Sequence, residues 1–164
     1  MKRFLVSLAV VFALLFGAPS AGAYTVGNFN AAITKGLGAE VTLHTRRALA
    51  AEQQTEGPGG INNPYNTTWP LPGSTCANSV CVRNYDTPQD GIKATILTLK
   101  QNGFGYEVIR RRLRANAPAT AIVRGFGESR WGTSLSLVLA VLDDIKHNRT
   151  PNTLAIIEHR HITH

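Results

Sequence analysis

Residues 56–69 read EGPGGINNPYNTTW, and this stretch divides the chain into two helical parts. The four residues after Glu56 cannot continue a helix, because they combine one proline with three glycines. Upstream, Thr42 is a suitable N-cap for a helix that ends near Glu56. Downstream, helical periodicity is lost as far as Tyr85. The stretch therefore predicts a junction between a helix and a small β element.

Apolar residues recur at helical spacing on both sides of this junction. The predicted helices span residues 28–37, 42–56, 88–102, 106–115, 118–127 and 134–148. Between them, Val80, Val82 and Tyr85, together with Thr67 and Thr68, predict short strands that form a hairpin. The order of elements predicts a mainly helical α+β fold in one domain, which suits a length of 164 residues.

The first 23 residues have the three parts of a secretory signal peptide. Lys2 and Arg3 precede an apolar run, and small residues lead up to Ala23. The apolar run is shorter than the ~20 residues that span a membrane. We expect cleavage after Ala23, a single domain over residues 24–164, and a monomer that has no membrane segment after cleavage. The expected location is secreted or extracytoplasmic, in the cell wall or periplasm.

The charge balance favours an anionic partner. The chain carries 17 Lys+Arg and 10 Asp+Glu, a net charge of +7, of which +5 remains without Lys2 and Arg3. A cationic exported protein suits anionic cell-wall polymers. Residues 110–114 read RRRLR, and such a basic cluster suggests nucleic-acid binding as an alternative. Four arginines on one short helix cannot share a face, however, so we expect no nucleic-acid partner.

The two cysteines, Cys76 and Cys81, predict one disulfide in an oxidising compartment. We expect no cofactor and no metal. The C-terminal sequence, with Glu158 beside His159 and His161, leaves metal binding open as an alternative to a frayed polar tail.

Glu56 is the strongest candidate for chemistry among the carboxylates. It lies in the last turn of a predicted helix, where the helix dipole disfavours a negative charge and raises a carboxyl pKa. Residues 61–69 then supply amides, hydroxyls and aromatic rings, the mixture that binds sugars. A protonated carboxyl beside a sugar-binding segment is the minimal equipment of a glycosidase general acid. The plainer alternative is a surface glutamate before a loop.

Several segments between residues 31 and 134 match a known pattern in order. They are residues 37–39 (LGA), 62–68 (NNPYNTT), 78–80 (NSV), 82–85 (VRNY), 90–95 (DGIKAT) and 131–133 (WGT). The chain thereby resembles a lysozyme-like module found in actinobacterial phage proteins and secreted relatives. The resemblance implies a lysozyme-like fold, with helices around a small β-hairpin, and a peptidoglycan or related polysaccharide substrate. It also implies that Glu56 faces the hairpin across a cleft.

The residues expected to line that sugar cleft come from the loop and the hairpin. They are Asn62, Asn63, Asn66, Thr68 and Tyr85. The cysteine pair departs from the family pattern, and the apolar segment after Ser134 is a C-terminal helical extension to it.

Other carboxylates remain as alternatives. Glu128 begins the sequence ESRWG, which resembles the Glu-Ser-x-Trp-Gly signature of bacterial glucosaminidases. Glu52 lies one helical turn before Glu56 and either raises its pKa or is simply solvated. Asp86 follows the hairpin as a candidate second carboxylate.

The sequence thus favours a secreted lysozyme-like glycoside hydrolase or lytic transglycosylase, with Glu56 as general acid. A non-catalytic cell-wall binding protein that retains the fold is the alternative. A secreted protein of unrelated role, such as an inhibitor or effector, is the third possibility.

Overall fold

The computed structural model describes residues 25–57 and 59–149. Within them the chain forms six helices and one two-stranded sheet, in the order α1 (Val26–Gly36), α2 (Leu43–Glu56), β1 (Thr75–Cys76), β2 (Arg83–Asn84), α3 (Pro88–Lys100), α4 (Tyr106–Arg114), α5 (Ala119–Gly127) and α6 (Leu135–Lys146). The predicted mainly helical α+β class is confirmed. No helix in these residues is long and apolar enough to cross a membrane. The predicted signal peptide and the histidine-containing tail lie outside the described residues.

Side-chain caps set where the first three helices begin. Thr25 accepts a hydrogen bond from a backbone N–H of the first turn, so α1 starts two residues earlier than the apolar pattern predicts. At the start of α2, Thr42 and Thr45 each accept a hydrogen bond from the other's backbone N–H. Thr87 caps α3, which opens on the predicted proline. The starts of α2 and α3 were predictable from sequence because they depend on local side chains, whereas the Thr25 cap of α1 was not recognised.

α2 lies at the centre of the helical core, where α1, α5 and α6 all pack against it. Its inward face includes Ala48, Leu49 and Ala51, which are fully buried. Small alanine side chains allow the neighbouring helices to pack closely. α3 packs on α1 and α4, and α4 packs on α5, which completes the helical assembly.

The segment predicted as a C-terminal extension contributes to this core. α6 packs on both α2 and α5, and it buries Val138, Val141 and Leu142. Burial of each such side chain stabilises the fold by about 2 kcal/mol. The connection from α5 to α6 consequently runs close to the C-terminal half of α2, where the candidate site lies.

The β element is smaller than predicted and begins elsewhere. β1 and β2 are antiparallel, with Thr75 opposite Asn84 and Cys76 opposite Arg83. The prediction that Thr67 and Thr68 form a strand is therefore wrong. Val80 lies in the turn of the hairpin, and Val82 and Tyr85 flank β2 without belonging to it. Thr67 still accepts one backbone hydrogen bond from the Arg83 N–H, at 3.1 Å.

The hairpin is closed by the predicted disulfide. Cys76 and Cys81 are bonded, with their Cα atoms 4.5 Å apart. Inside the loop, the Cys81 N–H donates to the Asn78 carbonyl, and the Ala77 N–H donates to the Val82 carbonyl. The bond constrains a largely exposed loop.

Replacing both cysteines with serine should lower the free energy of unfolding by about 2 kcal/mol or less, because the closed loop is short. The helices should persist, since their core does not include the hairpin. Urea unfolding and far-ultraviolet circular dichroism of the double variant measure both effects. A variant that fails to fold would contradict the expectation.

Candidate active site

Glu56 ends α2, as predicted, and its carboxyl group is held from two sides. Thr133 Oγ1 lies 2.9 Å from Glu56 Oε1, and Asn66 Nδ2 donates to Glu56 Oε2 at 3.0 Å. The same Asn66 amide also donates to the backbone carbonyl of Glu56, at 3.0 Å. After Glu56 the chain turns at Gly57 through φ +63° and ψ −165°, a conformation that is essentially restricted to glycine. The helix end and the loop are thereby fixed around one half-buried carboxyl.

Glu52 lies one turn earlier on α2 and is fully buried. Its Oε1 is in close contact with the hydroxyl of Thr133, and its Oε2 has no hydrogen-bond partner among the described residues. Burial raises the pKa of Glu52 well above its usual value; the hydrogen bond with Thr133 opposes this shift, and the charge of Glu56 adds to it. Of the two interpretations drawn from sequence, a solvated Glu52 is therefore wrong.

Tyr65 anchors the loop beside the carboxyl pair. Its side chain is buried, it stacks on Phe29, and its hydroxyl contacts the Asn30 side-chain oxygen at 2.7 Å and the Leu49 carbonyl at 3.0 Å. Burial raises its pKa well above the usual value, and the charges of the two glutamates raise it further. The aromatic ring that sequence placed in a sugar-binding run thus belongs to the core.

Asn63 has a structural task in the same loop. It is 1% exposed, and its amide nitrogen donates to the Thr67 and Arg83 carbonyls, each at 2.8 Å. Its side-chain oxygen accepts from the Thr67 N–H at 3.0 Å. A direct sugar contact, which the sequence predicted, does not fit this placement, because the whole amide is used inside the protein. Asn63 fastens the loop to the hairpin instead.

Tyr85 is placed similarly. It is 2% exposed, and its hydroxyl donates to the Trp69 carbonyl at 2.7 Å. Its backbone N–H donates to the Ile61 carbonyl at 2.9 Å. The predicted direct sugar contact of Tyr85 does not fit this burial either. Tyr85 instead holds the loop through its hydrogen bonds with Trp69 and Ile61.

Three of the predicted sugar-binding residues keep part of their surface open. Asn62 and Asn66 are half-buried, and both adopt positive φ values, of 54° and 52°, that asparagine tolerates. Asn62 donates to the Tyr85 carbonyl at 2.9 Å, and Thr68 is exposed. Sugar binding by Asn62, Asn66 and Thr68 stays a prediction.

Trp131 and Thr133 connect the end of α5 to the carboxyl pair. The Trp131 ring contacts Tyr65, Tyr106 and Phe126 edge-on, with centroids 5.7 to 6.1 Å apart. Gly132 follows with φ +86°, which favours glycine, and the next residue is Thr133. The packed tryptophan thus sets where Thr133 meets the two glutamates. No local pattern in the sequence indicates a role for Thr133, since its partners are 77 and 81 residues away in the chain.

Glu128 and Asp86 lie in other surroundings. Glu128 is exposed just after α5 and forms an ion pair with Arg112 at 3.1 Å. Asp86 is exposed after the hairpin, beside Gly73.

In the part of the chain that the structure describes, no three His, Cys, Asp or Glu side chains cluster as metal ligands would.

The arginines of α4 mostly bind backbone carbonyls of neighbouring helices. Arg110 donates to the Leu99 and Gln101 carbonyls at the end of α3. Arg114 donates to the Leu37 carbonyl that follows α1, at 2.8 Å. Arg112 donates to the Ala121 carbonyl in α5. Helix C-termini leave carbonyls without intrahelical partners, and Arg110 and Arg114 donate to such carbonyls after α3 and α1.

Arg110→Ala should therefore lower the free energy of unfolding by about 2 kcal/mol, because it leaves helix-end carbonyls without a charged donor. Arg111→Ala is the matched control: its side chain is exposed, and we expect a change within about 0.5 kcal/mol. Urea unfolding of both variants measures the difference. Equal effects would contradict the capping role.

Fold and site together define a mainly helical α+β protein with two glutamates on successive turns of one helix that share a threonine hydroxyl. No family model, curated protein or solved structure matches the chain.

Proposed function

We propose that the chain is a secreted, lysozyme-like glycosidase that cleaves the glycan strands of peptidoglycan, with Glu56 as general acid. The arrangement of the Glu56 carboxyl carries the proposal. It is half-buried at a helix end, it contacts Thr133 and Asn66, and it adjoins a loop with half-buried amides. A carboxyl with these surroundings is suited to give a proton to a glycosidic oxygen and to be stabilised as the carboxylate that remains.

The different burial of the two glutamates decides which of them can contact a substrate. Glu56 has exposed surface, whereas Glu52 is fully buried and cannot reach a substrate. A retaining or inverting mechanism with two carboxylates on the sugar would need a second accessible acid. We propose a one-acid mechanism, in which the N-acetyl group of the substrate or a water molecule completes the displacement; Asp86, which is exposed after the hairpin, is the alternative second carboxylate. Hydrolysis and transglycosylation both fit this scheme.

The choice of substrate and location rests on charge and the disulfide. The chain has a net charge of +7, which favours association with anionic wall polymers. The Cys76–Cys81 bond fits an oxidising compartment outside the cytoplasm. Both features suit a protein that works at the cell wall.

Incubation with purified sacculi separates the proposed enzyme from a wall-binding protein. The enzyme should release soluble fragments continuously, whereas a binding module would sediment with the sacculi and release none. Glu56→Gln is the matched control, because it should still sediment with sacculi while release stops. Binding without release by the wild-type protein would favour the non-catalytic alternative.

A further inference from the structure

One hydroxyl lies between two carboxyl groups in the candidate site. Thr133 Oγ1 contacts Oε1 of both Glu52 and Glu56. A threonine hydroxyl has a single hydrogen, so it can donate to only one of these oxygens. The other contact is a hydrogen bond only if that carboxyl itself carries a proton. For both contacts to be hydrogen bonds, at least one of the two glutamates therefore has to carry a proton.

Burial decides which glutamate holds that proton. Glu52 is fully enclosed, and its Oε2 has no hydrogen-bond partner in the described part of the chain. An ionised carboxylate there would be an uncompensated buried charge, whereas a neutral acid leaves only one carbonyl-like oxygen unsatisfied. Glu56 has exposed surface and contacts Asn66 at its other oxygen. Ionisation therefore costs less free energy at Glu56 than at Glu52.

Among the described residues, no Lys, Arg or His forms an ion pair with Glu52. Besides burial, the charge of Glu56 opposes ionisation of Glu52, and Thr133 favours ionisation only when its hydroxyl donates to Glu52. Tyr65 is the titratable neighbour from the loop. The charged residues on the helices that pack against α2 are Lys35 on α1, Arg124 on α5, and Asp143, Asp144 and Lys146 on α6. Lys35, Arg124 and Asp143 are exposed, and Asp144 binds Arg149.

We propose that Glu52 is a positioning residue: it keeps its proton in the core, donates a hydrogen bond to Thr133, and so turns the Thr133 hydroxyl hydrogen toward Glu56. No proton is transferred along the hydrogen bonds from Glu52 through Thr133 to Glu56. The direction of both hydrogen bonds is fixed because the buried acid is the donor. Glu56 Oε1 then accepts from Thr133 while Oε2 accepts from Asn66.

The catalytic consequence rests on the proposed glycosidase function. Glu56 acts as general acid in the fraction of molecules in which it is protonated; when it gives that proton to the glycosidic oxygen, negative charge develops on its carboxyl group. A hydrogen bond already aimed at that oxygen stabilises the charge without reorganisation. Glu52 would thus promote catalysis through Thr133, without touching the substrate.

Titration of the exported protein labelled with ¹³C at the glutamate carboxyl carbons tests the proposal without any substrate. In the wild type, the Glu52 signal, assigned by its loss in Glu52→Gln, should retain the protonated shift at pH 7. Glu52→Gln should leave the Glu56 midpoint within a few tenths of a unit, because one neutral donor replaces another. Thr133→Val should raise the Glu56 midpoint by about one unit, and Thr133→Ser should restore it.

Two results would overturn the proposal: a Glu52 carboxyl that is ionised at pH 7, or a Glu56 midpoint that drops by a unit or more in Glu52→Gln. An unchanged Glu56 midpoint in Thr133→Val would equally contradict it. Because these readouts involve no glycan, they can succeed even if the protein proves not to be a glycosidase.

Unfolding measured against pH gives an independent readout. The unfolded chain releases the Glu52 proton above about pH 4.3, while the folded protein, whose pKa at Glu52 is raised, retains it. Wild-type stability should therefore decrease as the pH rises through this window and level off above the folded pKa. The free energy of unfolding should decrease more with pH in the wild type than in Glu52→Gln. The same pH dependence in both proteins would mean that Glu52 is ionised in the folded state and would contradict the proposal.

Discussion

Glu56→Gln is expected to reduce glycan cleavage by a factor on the order of 10²–10⁴, the range for loss of a general acid. Glutamine has nearly the shape of glutamate, and its side-chain oxygen can still accept from Thr133 or Asn66. It cannot deliver a proton to a leaving oxygen. The measurement is the initial rate of fragment release from purified sacculi, with circular dichroism of both proteins to compare their folds.

The matched control is Glu128→Gln, which changes the glutamate of the rival motif. Glu128 pairs with Arg112 on the surface, and an exposed pair contributes about 1 kcal/mol or less. The rate should therefore remain close to that of the wild type. If Glu128→Gln abolished release and Glu56→Gln did not, the active site would have to be reassigned to the motif after α5.

Trp131→Ala should lower the free energy of unfolding by about 3 kcal/mol, the lower end for loss of a large aromatic side chain, because Trp131 is only half-buried. Its ring contacts Tyr65, Tyr106 and Phe126, so a cavity would open within the aromatic cluster. The same change should reduce activity in the protein that remains folded, because the turn that places Thr133 loses its anchor. Chemical unfolding and the sacculus assay measure the two effects separately.

Trp131→Phe separates packing from a direct role in sugar binding. Phenylalanine preserves an aromatic ring in the cluster and should retain most of the stability. If activity were lost in Trp131→Phe at unchanged stability, the indole would be acting on the substrate, and the anchoring role would be contradicted.

Local features made most helix positions readable from sequence. Thr42 and Thr87 indicate the starts of α2 and α3 as N-caps, and Gly57 indicates the end of α2. The hairpin was harder to place, because each strand has only two residues and carries no alternating pattern. Its position is set by the disulfide and by contacts with the preceding loop, which are not local in sequence.

The site was only partly predictable for the same reason. The position of Glu56 follows from the helix end, but the burial of Glu52 depends on how α5 and α6 pack on α2. Asparagine in a loop can bind a ligand or satisfy the backbone, and sequence does not distinguish these roles. Asn63 satisfies the backbone, and Asn66 contacts Glu56 itself.

Mass spectrometry of the fragments released from purified sacculi tests the central claim most directly. The account predicts soluble muropeptides cut at a glycosidic bond, with intact stem peptides, from the wild-type protein and essentially none from Glu56→Gln. Fragments cut within the stem peptides, or equal release by the wild-type and Glu56→Gln proteins, would contradict it.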